Sequence, residues 1–306
     1  YLGLTVLEII LLVLGACPLF DAIAIGFGTA GTGGFAIKND SLAGYSSYIQ
    51  WVVTIFMLLF GVNFNAYYLL LFRKFKKAVS MEEVKAYFGI IIASTLIIFF
   101  NIFKYAKPAG TLFRDAAFQV ASIITTTGFA TVDFDMWPQT SKTILVMLMF
   151  IGACAGSTGG GIKVSRIVIL LKTLSKEISS YIHPRSIKKI KMEGKTVAHD
   201  VVRSTNVYFI TYFIIFSFSV LLLSFEGKDA VTNFTAVAAT INNIGPGLEL
   251  VGPTCNFGIF NIFSKYILMF DMLAGRLELF PLLILAHPSI IKSMVLYRKQ
   301  GKRKQL

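Results

Sequence analysis

The sequence predicts an all-α, polytopic membrane protein that repeats one unit three times: a helix, a re-entrant loop and a second helix. Of its 306 residues, 55% are apolar and only 15% are charged, whereas a soluble domain carries about 25% charged residues. Four stretches contain no charged side chain, namely 41–72, 86–103, 143–162 and 204–225. Because roughly 20 apolar residues cross a bilayer, these stretches are long enough to be transmembrane segments.

The order of the elements follows from the alternation of long apolar stretches with shorter ones that end in glycine. In the first unit, 1–16 cross the membrane, 18–31 form a half-helix, the chain turns at 32–36, and 48–72 return. The corresponding segments of the second unit are 83–103, 114–125, 126–130 and 140–175, and those of the third are 204–225, 231–242, 243–247 and 264–291. The units thus occupy residues 1–80, 81–182 and 183–306, and the last begins with a basic loop.

Each half-helix begins at a helix-starting residue and reaches a glycine thirteen positions later. The predicted N-caps are Asp21, Asp115 and Thr232, and the glycines are Gly34, Gly128 and Gly245. About twelve residues at ~1.5 Å each make ~18 Å, which is half the depth of a membrane. The alternative, a short amphipathic surface helix, does not explain why all three end in glycine beside hydroxyl or amide residues at the same offset.

The polar turns are candidate sites for a dehydrated cation. Non-helical backbone at membrane depth is tolerated where it lines a water-filled cavity, and its carbonyl oxygens can replace the hydration shell of an ion. The half-helix C-termini add partial negative charge, and carbonyls without carboxylates favour a monovalent cation over Ca²⁺. The predicted ion-binding residues of this selectivity filter are Gly31, Thr32, Gly33, Gly34, Thr125, Thr126, Thr127, Gly128, Asn242, Asn243, Ile244 and Gly245.

The returning segment of the second unit is interrupted by glycine. Five glycines fall within 152–161, and each destabilises a helix by about 1 kcal/mol relative to alanine. We therefore expect a loop inside the membrane that obstructs the pathway or moves aside. Close helix packing through small residues is the alternative. The predicted gate residues are Gly152, Gly156, Ser157, Thr158, Gly159, Gly160, Gly161 and Lys163.

Arg276 is a further candidate for the gate. It lies in the last apolar stretch, and an ionisable residue inside a membrane indicates a function by default. It is expected either to face the pathway and bind carbonyls of the glycine loop, which sets a barrier to cations, or to be neutralised by Glu278 or Asp271.

The basic residues are concentrated in three segments. Of the 29 Lys and Arg, 21 lie in 73–85, 163–203 and 292–306. This is the positive-inside pattern, so these segments are expected to be cytoplasmic and the chain to be embedded in membrane lipid. The net charge of +13 then has a topological cause, and nucleic acid is not an expected partner. The scattered cysteines and histidines do not have the spacing of a metal site.

One short motif points to a different class of protein. Residues 26–31 match GxGxxG, which in dinucleotide-binding enzymes joins a strand to a helix and is followed by an acidic residue about 20 positions later. Neither feature is found around this segment. We therefore expect no enzyme activity and no organic cofactor.

Four motifs in a fixed order carry a family resemblance. They are TTGFATVD at 126–133, GSTGGGIK at 156–163, NNIGPGL at 242–248 and GRLE at 275–278, and His183-Pro184-Arg185 lies between the second and third. Over essentially the whole chain they resemble the TrkH branch of the TrkH/KtrB superfamily of potassium transporters. The resemblance implies uptake of K⁺ across a bacterial inner membrane through a gated, channel-like filter. It also implies a homodimer and a cytoplasmic TrkA-like regulatory subunit that binds nucleotides.

The sequence differs from the family pattern in one respect. The superfamily arranges four units around one pore, whereas this sequence shows three. The first unit and the helices before it are therefore expected to be missing, so that Tyr1 begins the family's second unit. Two alternatives remain open. One is a K⁺ symporter coupled to H⁺ or Na⁺, because broken helices also suit transporters, and the other is mixed K⁺ and Na⁺ permeation.

Overall fold

The computed structural model describes residues 1–105, 107–183 and 189–285, and within them it is predominantly α-helical, as predicted. The first unit contains α1 (Leu2–Leu14), α2 (Leu19–Ala30), α3 (Ser47–Phe60) and α4 (Phe64–Leu71), and α5 (Phe75–Ser80) follows it. The second contains α6 (Glu82–Ile102), α7 (Ala109–Ile124), α8 (Gln139–Met149) and α9 (Val164–Ile182). The third contains α10 (His199–Ser224), α11 (Ala230–Ile241), α12 (Ile262–Arg276) and α13 (Phe280–Leu285).

A small β-hairpin between the second and third units was not predicted. Its strands are β1 (Lys191–Met192) and β2 (Lys195–Thr196), which pair antiparallel. The two residues between them, Glu193 and Gly194, both have positive φ, at 53° and 77°, as in the type I′ turns that favour two-residue hairpins. Strands of two residues are too short to show the alternating pattern by which a strand is recognised in sequence.

The structure corrects two of the predicted membrane spans. Among the described residues, α6 and α10 are each long and apolar enough to cross a membrane, and α3 with α4 makes a third if the bent pair is counted as one. The predicted span 48–72 is broken into two helices, because α3 and α4 meet at 91°. The predicted span 264–291 is also interrupted, since α12 ends at Arg276 and α13 begins at Phe280. Its last residues, 286–291, lie outside the described part of the chain.

The half-helices α7 and α11 lie at the centre of the described structure. Every residue from 118 to 127 and from 235 to 242 is buried. The half-helix α2 is more peripheral, and its Phe20 and Phe27 are exposed. The core has two parts: one joins the second and third units and includes Val62 and Ala66 of the first, and the other belongs to the first unit but includes Phe118, Ala121 and Phe129 of the second. The second unit therefore packs against both of the others.

The predicted N-caps Asp21, Asp115 and Thr232 are wrong in all three half-helices. The N-cap residues are Pro18, Pro108 and Asp229. Of these, Asp229 caps with its side chain, which accepts a hydrogen bond of 2.8 Å from the backbone N–H of Thr232. Since α7 begins at Ala109, five residues before the predicted start, Asp115 lies inside that helix, where it pairs with Arg114 at 3.4 Å.

Candidate ion pathway

The three predicted filter turns have the same backbone conformation. Each half-helix ends in a right-handed residue, then has a non-glycine residue with positive φ, and two positions later a glycine with positive φ. The non-glycine residues are Thr32, Thr126 and Asn243, with φ of 49°, 58° and 57°, and the glycines are Gly34, Gly128 and Gly245, with φ of 64°, 85° and 109°. Left-handed conformations are rare outside glycine. Their recurrence at equal offsets makes the three turns structural equivalents.

The same hydrogen bond closes each turn. The N–H of Gly33 donates to the carbonyl of Gly28 at 2.8 Å. The equivalent bonds run from Thr127 to Ser122 at 2.9 Å and from Ile244 to Ala239 at 2.8 Å. No donor in the described part of the chain reaches the backbone carbonyls of 32–34, 126–128 or 243–245. Unbonded backbone carbonyls of this kind are what a cation site made of backbone requires.

The turns lie side by side in a fixed sense. A Cβ atom built on Gly34 would overlap the carbonyl oxygen of Thr127, and one built on Gly128 would overlap that of Ile244. A Cβ on Gly245 would meet nothing within 4 Å among the described residues. The glycine of each of the first two turns thus packs against a carbonyl of the next turn, as in consecutive sectors of a ring. The ring is open on the far side of Gly245.

A cleft occupies this open sector. Its volume is about 800 Å³, and it is lined by the first turn, the third turn and α12. Gly33, whose carbonyl is equivalent to those of Thr127 and Ile244, lies on one wall and Gly245 lies on the other. The cleft therefore has the two surfaces that a further turn of the same shape would contact.

The side chains of the filter residues are bonded into the framework behind the turns. The hydroxyls of Thr125 and Thr127 lie 2.8 Å apart. The amide of Asn242 donates to Tyr212 Oη at 2.8 Å, and Ser122 Oγ donates to the carbonyl of Phe129 at 2.6 Å. These hydrogen bonds tie the turns to the helices behind them.

Ser122 and Tyr212 support the predicted filter turns but were not among the predicted residues. Ser122 has a recognisable signal, because it is a hydroxyl inside the apolar half-helix α7, six positions before Gly128. Tyr212 has none, because it lies in α10 among several other aromatic residues. Its contact with Asn242 depends on how the third unit folds.

The glycine-rich segment between α8 and α9 forms a loop whose stem is held by backbone pairing. The N–H of Gly152 donates to the carbonyl of Ile162 at 2.7 Å, and that of Val164 to the carbonyl of Ala153 at 3.1 Å. Gly156 and Gly161 have positive φ, at 69° and 65°. The helix is therefore interrupted from 150 to 163, as the glycine content predicts, and the alternative of close helix packing does not describe this segment.

The tip of the loop contacts the filter turns. The N–H of Gly160 donates to the hydroxyl of Thr126 at 2.6 Å, and the hydroxyl of Thr32 donates to the carbonyl of Thr158 at 3.1 Å. Gly160 also lies against the carbonyl of Asn242, because a Cβ on it would be 3.0 Å from that oxygen. The loop thus touches the first residues of all three turns and lies across the helix-side end of the filter.

Arg276 joins the loop to the first turn. Its guanidinium donates to the carbonyl of Gly31 at 3.2 Å, to the carbonyl of Thr158 at 3.4 Å and to the hydroxyl of Thr32 at 3.4 Å. Of the two expected arrangements, the one in which this arginine faces the glycine loop is therefore found.

The acids that were expected to neutralise Arg276 have other partners. Glu278 pairs with Arg166 at 2.7 Å, and Asp271 accepts from Ser219 at 2.8 Å. Lys163, which was predicted to belong to the gate, is buried and donates from Nζ to the carbonyl of Gly159. The Pro184 and Arg185 positions of the His-Pro-Arg motif and the basic segment 292–306 lie outside the described residues.

A half-helix that ends at a turn with unbonded backbone carbonyls and is followed by a returning helix is typical of membrane proteins with pore loops. The chain belongs to the TrkH family, described as cation transport proteins, whose profile matches residues 5–105 and 102–293.

Named relatives and one solved structure agree with this assignment. The chain is 36% identical to the Trk system potassium uptake protein TrkH of Salmonella typhimurium over 94% of its own length and 60% of that protein. It is 36% identical to the TrkH of Vibrio parahaemolyticus over 96% of its own length and 61% of that protein. The crystal structure of the potassium transporter TrkH from Vibrio parahaemolyticus matches it with a TM-score of 0.87, over 95% of this chain and 63% of that one. The chain therefore spans about three fifths of these proteins.

Proposed function

We propose that this chain forms three sectors of the selectivity filter of a K⁺ uptake protein. The observation that carries the proposal is the equivalence of the three turns, each of which presents free backbone carbonyls beside its neighbour. Rings of backbone carbonyls replace the hydration shell of K⁺ in channels. The relatives' name, Trk system potassium uptake protein, supports K⁺ as the transported ion.

A fourth turn is proposed to close the ring. The cleft between Gly245 and Gly33 supports it, because each wall has the surface that the other turns use to contact one another. An ion on the axis would then have carbonyls on every side.

The glycine-rich loop is proposed to be the gate of this pathway. Its tip bonds to Thr126 and Thr32, and Arg276 places a positive charge beside it. A cation that leaves the filter at this end meets both the loop and the guanidinium charge. Flux would therefore require that the loop and Arg276 move apart from the turns.

The setting of this pathway is also a proposal. The basic segments 73–85, 163–203 and 292–306 would face the cytoplasm of a bacterial inner membrane, in agreement with the positive-inside pattern. The transporter would be a homodimer and would bind a cytoplasmic TrkA-like subunit that senses nucleotides. The words Trk system in the relatives' names support a regulated assembly.

Reversal potentials of the whole transporter in liposomes test this function. For selective K⁺ permeation we expect the potential to change by about 59 mV per tenfold K⁺ gradient, with no change when a Na⁺ or pH gradient is added. Equal responses to K⁺ and Na⁺ gradients would establish mixed permeation instead. A potential that follows the pH gradient, or that follows the Na⁺ gradient only when K⁺ is present, would establish coupled symport. Liposomes that contain no protein provide the background.

A further inference from the structure

Glu83 is buried, although its position at the start of a helix would usually leave it in solvent. It is the second residue of α6, where acidic residues usually remain in solvent and interact with the helix dipole. Glu83 is only 2% exposed to solvent. A buried carboxylate is costly unless its oxygens are hydrogen-bonded, so its partners indicate what it does.

The carboxylate of Glu83 binds the chain on both sides of the tip of the glycine-rich loop. Its Oε1 accepts from the backbone N–H of Ala155 at 2.6 Å and from that of Ser165 at 3.1 Å. Ala155 lies in the first half of the interruption, and Ser165 lies just after the loop, in the first turn of α9. One oxygen atom therefore joins two segments that flank the tip of the loop.

The second oxygen links the loop to the first unit. Glu83 Oε2 accepts from Asn63 Nδ2 at 3.1 Å, and Asn63 caps α4 at the bend between α3 and α4. The same bend contacts the loop directly, because the N–H of Cys154 donates to the carbonyl of Gly61 at 3.0 Å. The loop, α6 and the bend thus meet at one carboxylate.

Glu83 also supplies a cap that α9 lacks. The N-cap residue of α9 is Lys163, whose side chain makes no capping hydrogen bond. The first N–H groups of a helix need acceptors, and negative charge is favourable there. Hydrogen bonds to an ionised acceptor are about twice as strong as neutral ones, so the start of α9 depends on a residue from another helix.

The adjacent acid has a different role, which provides a matched control. Glu82 pairs with Lys172 of α9, and the same Lys172 Nζ donates to the carbonyl of Lys191 in β1 at 2.6 Å. Glu82 is therefore bonded toward the basic loop, whereas Glu83 is bonded toward the glycine-rich loop. Replacing either Glu82 or Glu83 with glutamine removes one negative charge from the first turn of α6.

We propose that Glu83 is a positioning residue that holds the glycine-rich loop in its inserted position and ties it to the bend of the first unit. The inference rests on the proposed gating role of that loop. Movement of the loop away from the filter requires release of at least one of the three hydrogen bonds to this carboxylate.

Cys154 provides a direct readout of loop position. It is fully buried in the segment that Glu83 holds. In the whole transporter with every other cysteine replaced, we expect Glu83→Gln to raise the rate of modification of Cys154 by N-ethylmaleimide about tenfold or more, as expected for loss of a hydrogen bond to a charged group. K⁺ flux should rise in parallel. Glu82→Gln should leave the modification rate at the parent value.

A charge swap separates positioning from general damage. In Glu83→Gln the side-chain amide faces the amide of Asn63, so that two donors oppose each other. Adding Asn63→Asp restores an acceptor to that pair, and the side-chain oxygen that remains at position 83 can still accept from Ala155 and Ser165. We expect the double variant to return Cys154 to protection. Glu83→Asp is one methylene shorter and keeps the negative charge near the Cys154 thiol, so it should raise modification in the same way, and it also replaces Glu83→Gln if that variant does not accumulate in the membrane.

The outcomes distinguish this inference from the proposed gate. Unchanged modification of Cys154 in Glu83→Gln, or in Glu83→Asp where the first variant is not obtained, overturns the role of Glu83, whatever the flux does. Faster modification with no rescue by Asn63→Asp overturns the link to the bend. Faster modification that the swap reverses, with K⁺ flux unchanged throughout, supports the role of Glu83 and contradicts the gate.

Discussion

The filter turns and the breaks in the returning helices occur once in each unit, but only the turns are alike. The three turns have positive φ at the same two positions and share their closing hydrogen bond. The breaks differ in length: residues 61–63 separate α3 from α4, 150–163 separate α8 from α9, and 277–279 separate α12 from α13. In the proposed filter the three turns perform the same task, whereas the breaks have no common task.

Residues at the two short breaks form hydrogen bonds with the loop that occupies the long break. The first break accepts from Cys154 through the carbonyl of Gly61, and the N–H of Phe64 donates to the carbonyl of Gly156 at 3.2 Å. The third break begins after Arg276, which donates to Thr158 at the tip of the loop. The break in the returning helix is thus a long loop in the second unit, and in the first and third units it lies where that loop is bound.

The largest expected effect comes from adding a methyl group to the filter. In Gly128→Ala the new Cβ overlaps the carbonyl of Ile244, and the residue keeps a positive φ. The strain alone, about 2 kcal/mol, corresponds to about 30-fold in rate, so we expect K⁺ uptake to fall by at least that factor and selectivity over Na⁺ to be lost. Uptake of K⁺ and Na⁺ by cells that express the whole transporter measures both effects.

Gly245→Ala sharpens this comparison, because the described chain places nothing within 4 Å of its Cβ. Both glycines have positive φ, so a difference between the two variants reports the neighbouring carbonyl. With a fourth turn in the cleft we expect equal loss of uptake. A clearly milder effect of Gly245→Ala would contradict a fourth turn at that position.

The turns could be predicted from sequence because their signal is local. A glycine two positions after a polar residue, directly after an apolar segment, is visible without tertiary structure, whereas the half-helix starts from which the glycines were counted were wrong. The break at 150–163 was predictable for the same reason, since five glycines fall within 152–161. The possible partners of Arg276 could be limited to two sets from the sequence, because a guanidinium within apolar sequence must find acceptors.

The remaining features depend on packing between units. The bend after Phe60 contains one glycine in a long apolar stretch, and its stability comes from Asn63, Glu83 and the loop. The N-cap at Asp229 was missed because Thr232 has a similar intrinsic preference, and only the path of the preceding loop decides between them. Glu83 was missed because an acid at a helix start has an ordinary local explanation.

A smaller effect is expected from removing the charge that joins the loop to the third break. Arg276→Gln removes a full positive charge and weakens the bonds to Gly31 and Thr158. We expect K⁺ flux to rise by about tenfold, since bonds to charged groups contribute about 1.5–3 kcal/mol, with selectivity unchanged. The control is Lys265→Gln, a lysine of α12 that lines the same cleft and bonds to Gly258 rather than to the loop. A fall in flux, or an equal rise in the control, would contradict a barrier at Arg276.

The smallest effect is expected from removing a single neutral hydrogen bond between the loop and a turn. Thr126→Val keeps the shape of a β-branched side chain and removes the hydroxyl that accepts from the N–H of Gly160. One such bond contributes about 1 kcal/mol, or about fivefold in an equilibrium, so the displaced loop should be about fivefold more populated and K⁺ flux should rise by that factor. The control is Thr54→Val, a buried threonine that bonds within its own helix to Gln50. Because Thr126 bonds the loop through its side chain and contributes only its backbone to the proposed filter, the K⁺ to Na⁺ permeability ratio should not change. A loss of selectivity without a rise in flux would show that this hydroxyl supports the turn and does not restrain the loop.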